Sequence, residues 1–253
     1  VVLAGGEIRC AKVYKQVNQR GFRQAAQYTE GRKVRNSRQA RAMEKGSRYG
    51  RKEQEDAWQN SEVNALYRLA AAGVRVPQPH CFVDGVLLME LVTDDAGNAA
   101  PRLNDLELTD VEARRYHAML ITQVVRMLCA GLIHGDLSEY NVLVDAHGPV
   151  IIDLPQAVDA AGNNNAARML ERDVDNLTVY FGRFAPDLLT TDYGKEIWQL
   201  YSNSELRPDS VLTGCFERSE IPADVDGILR EIDAARDEEM ARQRFRQAAA
   251  DAE

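Results

Sequence analysis

The chain has 253 residues, 45% of them hydrophobic, which is enough for one domain, or one domain of two lobes, around a substantial core. Its net charge of −8 excludes a molecule that binds nucleic acid through overall charge. Cys10, Cys81, Cys129 and Cys215 are dispersed without C-x-x-C spacing, which argues against a zinc ribbon or disulfide framework and for the reducing cytoplasm. No run is long and apolar enough for a transmembrane helix, and no charged-then-apolar leader opens the sequence.

In chain order, Gly5-Gly6 signals a turn, and residues 7–15 (EIRCAKVYK) alternate as a strand does, with Ile8, Cys10, Ala11 and Val13 as its apolar positions. Lys12, taken alone, reads as a solvent-facing strand lysine. Residues 21–52 are polar and basic. From Arg32 to Lys52 nine basic residues face one acid, Glu44. Two readings stay open: a solvated loop or helix face, and a contact surface for RNA or an acidic partner. Aromatics are sparse there (Tyr28, Tyr49), which gives base stacking little support. Residues 53–72 read as a helix through Trp58, Val63, Leu66, Tyr67, Leu69 and Ala70, with Gly73 as its C-terminal cap.

Residues 74–79 (VRVPQP) form an extended connector. A hairpin follows, residues 81–83 and 86–92 about Asp84-Gly85, because Asp-Gly between apolar runs is a strong hairpin signal. Residues 93–104 are loop-like. Thr109-Asp110-Val111-Glu112 reads as a capping box that starts a long helix with Val111, Tyr116, Leu120, Val124, Met127 and Leu128 on its apolar side.

The most informative stretch is 132–153, LIHGDLSEYNVLVDAHGPVIID. His134-Gly135-Asp136 is followed five residues later by Asn141. A strand (142–144), a turn (145–148) and a second strand (150–152) end at Asp153. An acid before a hairpin, an amide at its start and an acid at its end suit phosphoryl transfer, where positioning does most of the catalysis. Asp136 can accept a proton from an attacking hydroxyl. Asn141 and Asp153 offer the hard oxygen ligands that Mg²⁺ prefers. Each residue alone has an ordinary reading: Asp136 and Asp145 as turn formers, Asn141 as a cap, Asp153 as a strand end.

The pattern HGDLSEYNVLV…VIIDLPQAVD resembles the catalytic core of the RIO family of atypical serine/threonine protein kinases. Ordinary protein kinases carry Arg where Gly135 stands, and D-F-G where this chain has Asp153-Leu154-Pro155-Gln156. D-L-S-E-Y-N is similar to the Rio1 type, bacterial forms included, whereas the Pro of I-D-L-P-Q is more like the Rio2 type. The resemblance implies an α+β, two-lobed, shortened kinase fold across 1–253: a β-rich N-lobe at about 1–89, a hinge at about 90–93 and a mostly helical C-lobe from about 94. ATP and Mg²⁺ are the implied cofactors. Lys12, in A-K-V-Y, resembles the phosphate-pairing strand lysine, and Glu62 its helix partner, with Glu55 as a competitor outside the W-x-x-x-E-x-x-x-L-x-x-L pattern. Met89 resembles a gatekeeper, and backbone groups of Glu90 and Val92 are expected to meet adenine. Asn141 and Asp153 are the expected metal ligands. Asp136 is the expected base, and Asp153 in addition a phosphoryl acceptor. Family members also carry a loop between the lysine strand and the next helix, where Ser37 and Ser47 are candidate self-phosphorylation positions. The chain given starts too late to contain a Gly-rich loop, so a preceding segment is expected.

After Asp153, residues 156–165 read as a loop and a helix begins near Ala166, with Asp173 and Asn176 read as structural groups among Leu170, Leu177, Tyr180 and Phe181. Residues 187–204 and 222–249 read as further helices. No A-P-E sequence or long activation segment follows. The reading is an ATP- and Mg²⁺-dependent kinase or ATPase acting on a protein Ser/Thr or on itself. A small-molecule kinase of aminoglycoside or choline type shares H-G-D-x-x-x-x-N, and a nucleotide-switched RNA-binding scaffold would use the basic segment 32–52, with a ribosome-assembly partner.

Overall fold

A three-stranded antiparallel sheet in the order β1-β3-β2 forms the first part of the fold: β1 is Arg9–Val13, β2 Pro79–Val83 and β3 Val86–Glu90. The structure is a computed structural model, and it describes residues 1–14 and 48–216, with side chains of the first helix described from residue 60 onward. The basic segment up to residue 47, Ser37, Ser47, the side chain of Glu55 and the helix expected at 222–249 lie outside the described residues. Val2 bridges Ile8 ahead of β1, so the Gly5-Gly6 turn closes a short extra pairing. Asp84 (φ 50°) and Gly85 (φ 74°) both adopt the left-handed region, as the tight β2–β3 turn requires.

Helix α1 (Arg48–Ala71) begins earlier than the periodicity of the sequence indicates and ends as expected before Gly73. Val63, Leu66 and Leu69 are buried, but Tyr67 is 40% exposed, so the helix buries a narrower face than its hydrophobic residues imply. The same correction applies to β1, where Ile8 and Val13 face solvent and the inward face is Cys10, Lys12 and Tyr14. Strand alternation leaves either face open to burial, and here the lysine is on the covered one.

Helix α2 (Asp110–Cys129) starts with the expected capping box: Thr109 Oγ1 accepts the Glu112 N–H, and Glu112 returns to the Thr109 N–H. Such a cap contributes about 1 kcal/mol. Val111 in its first turn is exposed, and the buried face is built from Ala113, Leu120, Ile121, Val124, Met127 and Leu128. Strand β4 (Leu132–Ile133) pairs with β7 (Val158–Asp159). Strands β5 (Val142–Asp145) and β6 (Gly148–Ile151) form the hairpin read from the sequence. Helix α3 (Ala166–Phe181) follows the expected loop. The 187–204 region resolves into a short 3-10 turn (Pro186–Thr190) and helix α4 (Tyr193–Ser202). One continuous core runs from Leu69 and Leu87 through Leu120, Leu128, Ile133 and Ile151 to Leu170, Leu177 and Phe181. Among the described residues no helix is long and apolar enough to cross a membrane.

Candidate active site

The site is assembled on the segment between β4 and β5. Leu132 and Ile133 are buried, which pulls the following His134 inside as well. His134 Nε2 lies 3.0 Å from the Ile152 carbonyl and donates to it, so Nδ1 is left to accept the Asp136 N–H at 3.3 Å. Burial keeps the His134 imidazole below its ordinary pKa, so it is a neutral strut.

Gly135 adopts φ +81°, and a Cβ there would meet the Gln156 carbonyl at 2.7 Å and Met169 Cε at 2.9 Å. Only glycine fits this crossing. Asp136 itself is exposed, beside buried Gly135 and Leu137. Gln156 Nε2 donates to Asp136 Oδ2 at 3.2 Å. Asn141 Nδ2 donates to the Asp136 carbonyl at 2.8 Å, which leaves the Asn141 side-chain oxygen pointing elsewhere. The Ile152 N–H donates to the Asn141 carbonyl at 2.9 Å, bringing Asn141 beside the end of the hairpin, where Asp153 stands.

Asp153 has φ +63°, a left-handed conformation uncommon for a non-glycine residue, between Ile152 and buried Leu154. Lys12 Nζ donates to Glu62 Oε1 at 2.5 Å and to Asp153 Oδ1 at 2.8 Å. Glu62 is buried (5% exposed) and Asp153 is not. Burial lowers the Lys12 pKa, but Glu62 and then Asp153 outweigh it, so the lysine sits above its ordinary value and stays charged. The structure therefore brings Lys12, Glu62 and Asp153 into direct contact and holds Asp136 and Asn141 on the adjoining loop.

Met89, Glu90 and Val92 lie along the end of β3 rather than in that cluster. Met89 is opposite Cys10 and packs against the core. The Glu90 N–H donates to the Gln78 carbonyl, and the Glu90 side chain accepts the Gln78 N–H. The buried Val92 carbonyl accepts the Ala100 N–H at 2.9 Å.

Helix α3 supplies what sequence reasoning missed. Asp173 is buried, and its two oxygens accept the N–H groups of Gly135 (2.7 Å) and Leu137 (3.1 Å) on either side of Asp136. Burial pushes its carboxyl up to about 7, against the two N–H donors and Arg172. Asn176 Nδ2 donates to the Leu137 carbonyl at 3.0 Å, and Arg172 donates to the Gly135 carbonyl. Three α3 residues thus clamp the backbone that presents Asp136. The signal for Asp173 was present: an acid on the same stripe as Leu170, Val174 and Leu177 is expensive to bury without partners.

Among the described residues no three His, Cys, Asp or Glu side chains converge into an all-protein metal cage. Asn141 and Asp153 fit instead the Mg²⁺ pattern of one or two protein oxygens completed by substrate phosphates and water.

The sheet, the hairpin and the helical part together define an α+β protein of the kinase-like class. The family model described as RIO domain matches residues 4–194, and the chain belongs to that family. Over 133 residues it is 38% identical to a RIO-type serine/threonine-protein kinase Rio1 of Haloferax volcanii, a match covering 52% of this chain and 44% of that protein. It is 36% identical over 142 residues to the serine/threonine-protein kinase RIO1 of Chaetomium thermophilum, covering 53% and 27%. It is 35% identical over 140 residues to the serine/threonine-protein kinase RIO3 of Caenorhabditis elegans, covering 53% and 27%. The matched region therefore spans less than half the length of these relatives.

Proposed function

We propose that the protein is an ATP- and Mg²⁺-dependent serine/threonine kinase or ATPase. The observation that carries the reading is Lys12 Nζ held between Glu62 at 2.5 Å and Asp153 at 2.8 Å. Buried Glu62 fixes the lysine from behind and aims its charge at the place where phosphates would lie. Asn141 and Asp153 would hold Mg²⁺, which supplies neutralisation of the phosphate charge when bound. Asp136, steadied by Gln156, takes the proton of an incoming hydroxyl. In the hydroxyl pathway a protein Ser/Thr oxygen attacks the γ-phosphorus and ADP leaves. In the alternative, an Asp153 oxygen attacks the γ-phosphorus and ADP leaves, and water later hydrolyses the aspartyl-phosphate to free phosphate and the regenerated carboxylate. The Glu90 N–H and the Val92 carbonyl already have partners within the protein, so adenine would read the Glu90 carbonyl and the Val92 N–H. On this reading residues 1–89 are an N-lobe, 90–93 a hinge, and the C-lobe begins at 94.

The test is Mg²⁺-dependent ATP turnover by the full-length polypeptide and by its Asp136→Asn and Asp153→Asn variants, following free phosphate and phosphate retained on protein. Loss of turnover in both variants is expected. Wild-type activity that survives both substitutions would remove the assigned roles, and turnover of hydroxyl-bearing metabolites in place of protein would favour the small-molecule kinase.

A further inference from the structure

Arg75 lies in the connector between α1 and β2, outside the cluster described above, yet it is tied at four points. Its N–H donates to Oε1 of buried Gln123 on α2 at 2.9 Å. Its carbonyl accepts the Ile151 N–H of β6 at 2.8 Å. Its Nε donates to the Pro149 carbonyl at 3.1 Å. Its Nη2 contacts both Asp145 oxygens, at 2.6 and 2.7 Å. Asp145 Oδ1 also accepts the His147 N–H at 2.7 Å, so the same carboxylate shapes the β5–β6 turn.

The positions of these contacts give them meaning. The connector continues directly from α1, which carries Glu62, and Val74 is tied back to the Leu69 carbonyl at 3.1 Å. The β5–β6 hairpin starts just after Asn141 and ends two residues before Asp153. Arg75 therefore fastens the helix that holds the lysine's partner to the turn of the hairpin that holds both candidate metal ligands. Paired strands are stiff along their length, so fixing the turn fixes the register of the far end, roughly 13 Å away.

We infer that Arg75 and Asp145 are positioning residues for phosphoryl transfer, setting Asn141 and Asp153 relative to Glu62 and Lys12. The inference rests on the proposed kinase or ATPase activity. Neither residue touches nucleotide in this role; each acts through the hairpin.

The experiment compares full-length wild type with Arg75→Met, Arg75→Lys, Asp145→Asn and the Arg75→Met/Asp145→Asn double variant. The readouts are kcat, KM for ATP, the Mg²⁺ concentration giving half-maximal turnover, and Tm. Arg114→Ala, which removes a surface pair with Asp110 and Asp187 elsewhere on the fold, is the control. The expected result is a kcat lower by about tenfold to a hundredfold with a raised Mg²⁺ requirement, while KM for ATP changes by no more than about twofold. Arg75→Lys recovers part of the loss, and the double variant is no worse than Arg75→Met, because that substitution already removes the contact through which Asp145→Asn acts. The control leaves kcat and the Mg²⁺ requirement unchanged. A lowered Tm with unchanged kcat and Mg²⁺ requirement overturns the inference, as do losses that multiply in the double variant. Absence of wild-type turnover would count against the enzyme reading instead. The inference is then decided by calorimetric ATP titration: it stands if the gain in affinity on adding Mg²⁺ shrinks in the variants, and fails if it does not.

Discussion

Gly135 and Asp173, 38 residues apart, are joined by a 2.7 Å hydrogen bond from the glycine N–H to a buried carboxylate oxygen. With the Leu137 N–H on the other oxygen, one side chain of α3 holds the N–H groups of the residues before and after Asp136. The exposed acid is presented by a buried one.

Asp173→Asn tests this arrangement directly. An amide has a single acceptor oxygen, so one of the two N–H groups is left without its partner, at a cost of about 1–3 kcal/mol. Asp136 loses its fixed placement, and kcat is expected to fall by about a hundredfold, since small misplacements at a reacting centre are expensive. ATP turnover and thermal melting check both halves. A variant with native kcat would show that Asp173 holds up the fold without governing Asp136.

Gly135→Ala should be destabilising from two causes. The left-handed conformation costs a non-glycine residue about 1–2 kcal/mol, and the new methyl group would press on the Gln156 carbonyl 2.7 Å away. Relief requires Gln156 to move, which also removes its hydrogen bond to Asp136. The expected outcome in denaturant unfolding is a loss exceeding the conformational term alone, accompanied by reduced turnover.

Lys12→Met leaves Glu62 buried with its cationic partner gone. The single variant should therefore be less stable than Lys12→Met/Glu62→Gln, by about 1–3 kcal/mol, even though the double variant carries more changes. Both should be inactive in ATP turnover. Equal stabilities would mean that Glu62 is satisfied by other groups.

His117 gives a pH dependence that is independent of the site. It packs edge-on against Phe181, with Nε2 3.3 Å from Thr178 Oγ1, and burial lowers its pKa from 6.5 to about 4. As pH falls below 6.5 the unfolded chain takes up a proton that the folded chain refuses until about 4. The stability linked to this group is present above that window and is lost as pH falls through it, by at most about 3 kcal/mol. His117→Gln should flatten the slope of Tm against pH over the same window; an unaltered slope would place the dependence elsewhere.

What could be read from the amino acids follows from the range of each signal. Asp84-Gly85 and Thr109-x-x-Glu112 act within four residues, and both appear as read. The Lys12–Glu62 juxtaposition came from resemblance, since nothing local links residues 50 apart. Hydrophobic period identified the helices but misjudged Tyr67 and Val111, because a stripe marks which face is covered only on average. The two-residue β4–β7 pairing is too short to leave a period. Asp173, Gln156 and Arg75 find their partners only after the chain has folded back on itself, so the stripe on α3 could mark Asp173 as a buried acid in need of partners while spacing named none of the three partnerships.

The left-handed backbone at Asp153 bears on how any inactive variant should be interpreted. Aspartate and asparagine tolerate that conformation far better than residues with a plain β-carbon. Alanine at position 153 would remove the carboxylate that meets Lys12 and strain the peptide that follows Ile152, so a loss of turnover would report two injuries at once. Asparagine keeps the bend while losing the charge and exchanging one acceptor oxygen for an amide nitrogen, so comparing the two variants separates the backbone's share of the loss from the side chain's.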